Sequence, residues 1–116
     1  MKITVASHRT LIEHYNGVRW RIVKSPNVGT GNALASVVAT SSRNAWAVGV
    51  SGWHDNSSDP TATLAERWNG TSWTVQASPN SGSGGNQLTG VDASSSTEAW
   101  AVGFDGDNHP LALHCC

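Results

Sequence analysis

Side chains able to bind, ligate or react gather in a few short segments. Trp53, His54, Asp55 and Asn56 lie together in the stretch Ser51 to Pro60. An aromatic ring beside an imidazole, a carboxylate and an amide can stack on a polar ring and hydrogen-bond its substituents. These four are therefore the candidate ligand-binding residues, suited to a glycan or a protein segment. The competing reading is that Trp53 simply covers a neighbouring part of the fold. Phe104-Asp105-Gly106-Asp107-Asn108-His109 is rich in oxygen donors. Counted from Asp105, however, a calcium loop would need a glycine in sixth place and a glutamate in twelfth, and Cys116 falls twelfth, so a solvated turn is expected instead. His114-Cys115-Cys116 offers soft ligands without the second cluster a structural zinc needs. Adjacent cysteines bridge one another only with strain, so no disulfide framework is expected.

Nucleophile and phosphate chemistry find no pattern. The Asn80-Ser81-Gly82-Ser83-Gly84-Gly85 loop lacks the lysine of a phosphate loop and the spacing of a nucleophile elbow. Gly29-Thr30-Gly31 opens a dinucleotide fingerprint but places Leu34 where the third glycine belongs. The chain is expected to be non-enzymatic, with no catalytic residue, cofactor or metal.

Composition narrows the partners. Across 116 residues the formal net charge is −1 and only 13% of residues are charged, so the clustered basic charge of a nucleic-acid or membrane-surface binder is missing. No apolar run approaches the roughly 18 residues of a membrane span. Met1-Lys2-Ile3-Thr4-Val5-Ala6 is too short an apolar stretch for a signal-peptide core, which leaves the compartment undetermined. Serine, threonine, asparagine and glycine are abundant and favour turns and strand surfaces over long helices. The six tryptophans, against one phenylalanine and one tyrosine, carry most of the large apolar area.

The strands that carry these segments emerge from internal repetition. Thr10-Leu11-Ile12-Glu13-His14-Tyr15-Asn16-Gly17 returns as Thr63-Leu64-Ala65-Glu66-Arg67-Trp68-Asn69-Gly70, an offset of 53. Trp20 returns as Trp73, and Ser25-Pro26-Asn27 as Ser78-Pro79-Asn80. Ala45-Trp46-Ala47-Val48-Gly49 returns as Ala99-Trp100-Ala101-Val102-Gly103, an offset of 54. Leu111-Ala112-Leu113-His114 begins a third copy of the Leu11 segment.

Each unit reads as four short strands. Leu34 to Thr40 and Leu88 to Ala93 form the first. Asn44 to Val50 and Glu98 to Phe104 form the second, with Trp and Val on one face and Ala, suited to close sheet packing, on the other. Thr63 to Trp68 and Thr10 to Tyr15 form the third. After an Asn-Gly hairpin turn, Trp73 to Ala77 and Arg19 to Val23 form the fourth, which Ser-Pro-Asn ends. Residues 2 to 6 fit a further strand of the second kind.

Four-stranded antiparallel units of about 53 residues with a recurring Trp predict an all-β fold of β-propeller blades. About two and a half are expected: 1–28 the end of one blade, 29–80 a complete blade, 81–116 the start of the next. A closed propeller needs at least four, so the chain is expected to self-associate as a homo-oligomer or to belong to a longer array.

Trp46-Ala47-Val48-Gly49, Trp100-Ala101-Val102-Gly103, Trp68-Asn69-Gly70-Thr71-Ser72-Trp73, Ser25-Pro26-Asn27 and Ser78-Pro79-Asn80 resemble the repeat of a family of bacterial, kelch-like β-propeller proteins frequent in actinobacteria. A looser likeness is to photosynthesis-assembly-factor and sialidase-type propellers, but the aspartate-box turn of those proteins is absent here. The resemblance implies a propeller and makes an exported or surface-located parent plausible. It carries no catalytic residues across.

Repetition separates scaffold from site. Trp20, Trp46, Trp68, Trp73 and Trp100 occupy repeat positions and are expected to pack between blades. Glu13 and Glu66 are likewise equivalents in different units and need not form a carboxylate pair. Trp53 has no counterpart. The expected function is binding or scaffolding. The alternatives are a lectin-like, carbohydrate-binding propeller using Trp53 to Asn56, or a fragment of a hydrolase or lyase propeller whose catalytic residues lie in other blades.

Overall fold

The computed structural model describes residues 2–6, 9–29, 31–52, 61–80, 85–107 and 109–115. Their regular structure is all β. Ten strands follow one another: β1 (Lys2–Ala6), β2 (Arg9–Tyr15), β3 (Trp20–Val23), β4 (Ala33–Ser41), β5 (Asn44–Ser51), β6 (Ala62–Trp68), β7 (Trp73–Gln76), β8 (Asn86–Ser95), β9 (Glu98–Asp105) and β10 (Pro110–Cys115). They pair as three antiparallel sheets: β1-β2-β3, β4-β5-β6-β7 and β8-β9-β10. The expected strands all form, including the two at the ends of the chain, and the middle sheet is the complete four-stranded unit.

The glycine that closes each Trp-Ala-Val-Gly strand has a steric cause. Pairing of β4 with β5 shifts register between Leu34 and Ser36, and pairing of β8 with β9 shifts between Leu88 and Gly90. These bulges press a carbonyl onto the opposite strand. A Cβ on Gly49 would stand 1.9 Å from the Ala33 carbonyl oxygen, and one on Gly103 would stand 1.9 Å from that of Gln87. Only glycine fits at either place.

The Asn-Gly turns are wider than a two-residue hairpin. Tyr15 pairs with Trp20 and Trp68 with Trp73, so four residues form each loop. The asparagine side chain organises it: Asn16 Oδ1 accepts the amides of Val18 and Arg19 at 2.9 and 3.0 Å, and Asn69 Oδ1 those of Thr71 and Ser72 at 2.8 and 2.9 Å. Gly17 and Gly70 supply the positive φ, 98° and 100°.

Ser-Pro-Asn does more than end a strand. Ser78 Oγ shares a hydrogen bond with Thr63 Oγ1 at 2.7 Å, while Asn80 Oδ1 accepts the Thr63 amide. Ser25, Asn27 and Thr10 repeat this arrangement in the first sheet. The register of β10 puts Pro110 at the place of Thr63, since Pro110 pairs with Phe104 just as Thr63 pairs with Val50. Proline has no N–H, so the third unit lacks the donor for this clasp.

Alternation along the strands directs the middle sheet to both neighbours. Leu34, Ala45, Ala47, Leu64 and Trp73 cluster with Ile12 of the first sheet, and Val23, Val37 and Trp68 pack beside them. On the opposite face Val48 clusters with Leu88 and Ala101 of the third sheet, flanked by Ala65, Val91 and Leu113. The expected close-packing role of the alanines is realised in both clusters. Polar ties reinforce the second contact. Arg67 lies over the Trp46 ring, 4.8 Å from its centroid, and donates to the Ser96 carbonyl at 2.9 Å. The Asn86 amide donates to the Thr61 carbonyl at 2.8 Å.

Candidate functional site

Trp53, His54, Asp55 and Asn56 lie outside the described residues. The repeat tryptophans divide by position. Trp46 and Trp73 are buried at 3% and 5% exposure, and Trp68 is half-buried with its Nε1 donating to the Ser42 carbonyl at 3.1 Å. Trp20 and Trp100, their equivalents on the terminal sheets, are 52% and 53% exposed. Trp20 meets only the ring of Tyr15 across the hairpin at 5.4 Å, among the aromatic contacts of the described residues.

Two outward faces result. On the first sheet, Tyr15, Trp20 and Ile22 are exposed and stand, by register, where Trp68, Trp73 and Val75 stand on the middle sheet. On the third sheet, Trp100, Val102 and Phe104 are exposed and stand where Trp46, Val48 and Val50 stand on β5. His114 stacks on Trp100 at 4.3 Å, as Arg67 covers Trp46, and its Nε2 lies 3.3 Å from Glu98 Oε1. Residues that are core in one unit are surface in the next because no further sheet covers them among the described residues.

Between the middle and third sheets runs a groove of about 280 Å³. Trp46, Val48, Ala65 and Gln76 form one wall, and Leu88, Val91, Ala99, Ala101 and Leu113 form the other. The segment Ala77 to Pro79 closes one side. Trp100 and His114 also line it, and the lining is mostly apolar. Periodicity alone does not locate it.

Glu66 is a strongly perturbed acid. It is fully buried, neither carboxyl oxygen has a hydrogen-bond partner, and burial pushes its pKa up to about 8. It faces the first sheet alongside Leu64 and Trp68 rather than the groove. Its counterpart Glu13 lies on the outward face of the first sheet, so the two do not meet as a catalytic pair.

Asp105, Asp107 and His109 bring donor atoms within 4.8 Å of one another. Asp105 is already engaged: Oδ1 accepts the amides of Asp107 and His109, each at 2.9 Å, and Oδ2 lies 3.3 Å from His109 Nδ1. This carboxylate organises the turn between β9 and β10. The chain matches no protein-family model, no curated protein and no solved structure.

Proposed function

We propose that this chain is a non-catalytic β-propeller module for binding or scaffolding, completed by association of its own copies. The observation that supports it is the correspondence of faces. The outward face of the first sheet carries Tyr15, Trp20 and Ile22 where the middle sheet half-buries Trp68 and buries Trp73. The outward face of the third sheet carries Trp100 and Val102 where the middle sheet buries Trp46 and Val48. Each outward face therefore has the chemistry of one partner in a contact already made inside the chain.

Head-to-tail docking of the third sheet of one copy on the first sheet of the next repeats that contact. Such heterologous contacts close into a ring when the rotation allows. Three sheets per copy and the four to eight blades of closed propellers make two copies, six blades, the closing number. Loops at the rim then serve as the binding elements on a rigid stack. Light scattering with electron microscopy tests this: a dimer with a six-bladed ring is expected, and a stable monomer that melts cooperatively overturns it.

A further inference from the structure

We infer that the Asn16-Gly17 and Asn69-Gly70 turns are self-modifying sites, at which the glycine nitrogen attacks the asparagine side chain and converts it, through a cyclic imide, to aspartate or isoaspartate. An asparagine reacts in this way when its side-chain carbon lies over the next residue's nitrogen and nothing blocks the approach. Glycine leaves that nitrogen uncovered because it has no Cβ. The chain supplies the pair twice, and both copies are exposed.

Side-chain direction separates these two asparagines from others in the fold. Asn27 and Asn80 reach away to the amides of Thr10 and Thr63. Asn32 bonds back to Val28, and Asn44 bonds to Thr40 and Arg67. Asn16 and Asn69 instead fold forward over their own downstream backbone, with Oδ1 held by the amides two and three residues on at 2.8 to 3.0 Å. The glycine nitrogen lies along the chain between the asparagine and those donors, and among the described residues it makes no hydrogen bond.

Those donors also serve the reaction. When the nitrogen attacks Cγ, negative charge develops on Oδ1, and two amides at this distance form the arrangement that stabilises such an oxyanion. The glycine nitrogen gives up its proton to water as its bond to Cγ forms. The Cγ–Nδ2 bond breaks, and Nδ2 departs as ammonia, taking up one proton in place of the one released. Water then opens the imide at either carbonyl. Opening at Cγ gives aspartate, whose carboxylate can still accept the two amides. Opening at the backbone carbonyl gives isoaspartate, which adds a methylene to the main chain inside the loop that pairs Tyr15 with Trp20 or Trp68 with Trp73.

The test incubates the full chain in mildly alkaline buffer, folded and in urea, and follows each asparagine by peptide mass spectrometry, with an isoaspartate methyltransferase assay as a second readout. Conversion is expected at Asn16 and Asn69 about tenfold or more faster than at Asn27 and Asn80, and faster in the folded chain than in urea, because only the folded turn holds the oxyanion donors. A Cβ at position 17 meets nothing within 4 Å, so Gly17→Ala is expected to slow conversion at Asn16 while Asn69 serves as the internal control. Conversion no faster in the folded chain than in urea, equal rates at all four asparagines, or an undiminished rate at Asn16 in Gly17→Ala overturns the proposal.

Discussion

Asn80 reaches back 17 residues to Thr63, its Oδ1 accepting the Thr63 amide at 2.7 Å, so that the end of one strand is fastened to the start of its neighbour. Asn27 and Thr10 are joined in the same way at 2.8 Å. Replacing the side chain leaves a partly buried amide without its acceptor. Asn80→Ala is expected to lower the unfolding free energy by about 1–2 kcal/mol in urea denaturation, and Asn27→Ala by less, because its bond is exposed and water can replace the lost acceptor.

The close carbonyl approach at Gly49 predicts a sharp contrast among glycines. Gly49→Ala forces a Cβ into the Ala33 carbonyl and is expected to cost about 3 kcal/mol or more, since backbone must move to admit it. Gly17→Ala meets nothing within 4 Å and strains only the positive φ, an expected loss of about 1 kcal/mol. Thermal melts of the two variants side by side check the difference.

Glu66 predicts an unusual pH dependence. Its folded pKa, about 8, stands above the ordinary 4.5, so the folded state holds a proton that the unfolded state releases between those values. Stability from this group is therefore full below about pH 4.5 and declines as pH rises towards 8, with a slope approaching ~1.4 kcal/mol per pH unit. Leu113 occupies the equivalent place in the third sheet, which makes Glu66→Leu the informative variant. It is expected to be more stable than the parent at pH 8 and to lose this slope, as measured by denaturation at several pH values.

Trp46 and Trp100 separate folding from association. Trp46→Ala empties a buried position and is expected to cost about 3–5 kcal/mol. Trp100→Ala removes a half-exposed ring, with an expected stability change under about 1 kcal/mol in dilute monomer but loss of self-association in light scattering. Equal effects of both variants on the melt would contradict the assignment of Trp100 to a docking face.

Strand order, pairing partners and facing were legible in the sequence because the unit is written twice. Trp46 and Val48 against Ala45 and Ala47 specify two faces, and repetition at Trp100 to Ala101 removes ambiguity about which residues are scaffold. The turn geometry was less legible. Asn-Gly reads as a two-residue hairpin, whereas the pairing of Tyr15 with Trp20 leaves a four-residue loop that the Asn16 side chain organises. The clasp from Asn80 to Thr63 carries no local signal, since it joins residues that are distant along the chain. Burial of Glu66 was hidden for a related reason: a glutamate on a strand reads as solvent-facing until a second sheet is laid over it. The candidate residues Trp53 to Asn56 drew attention by lacking counterparts, which marks difference and does not by itself supply a position.

Pro110 sets one end of β10 apart from its equivalents, Thr10 and Thr63. With no amide to offer, that end of β10 cannot donate to a neighbouring ladder. Long, continuous edges are what allow β proteins to stack chain upon chain into fibres, and a proline at the mouth of an edge is one of the devices that prevent it. The same residue that denies the third unit its clasp thus makes that end of β10 a poor template for pairing.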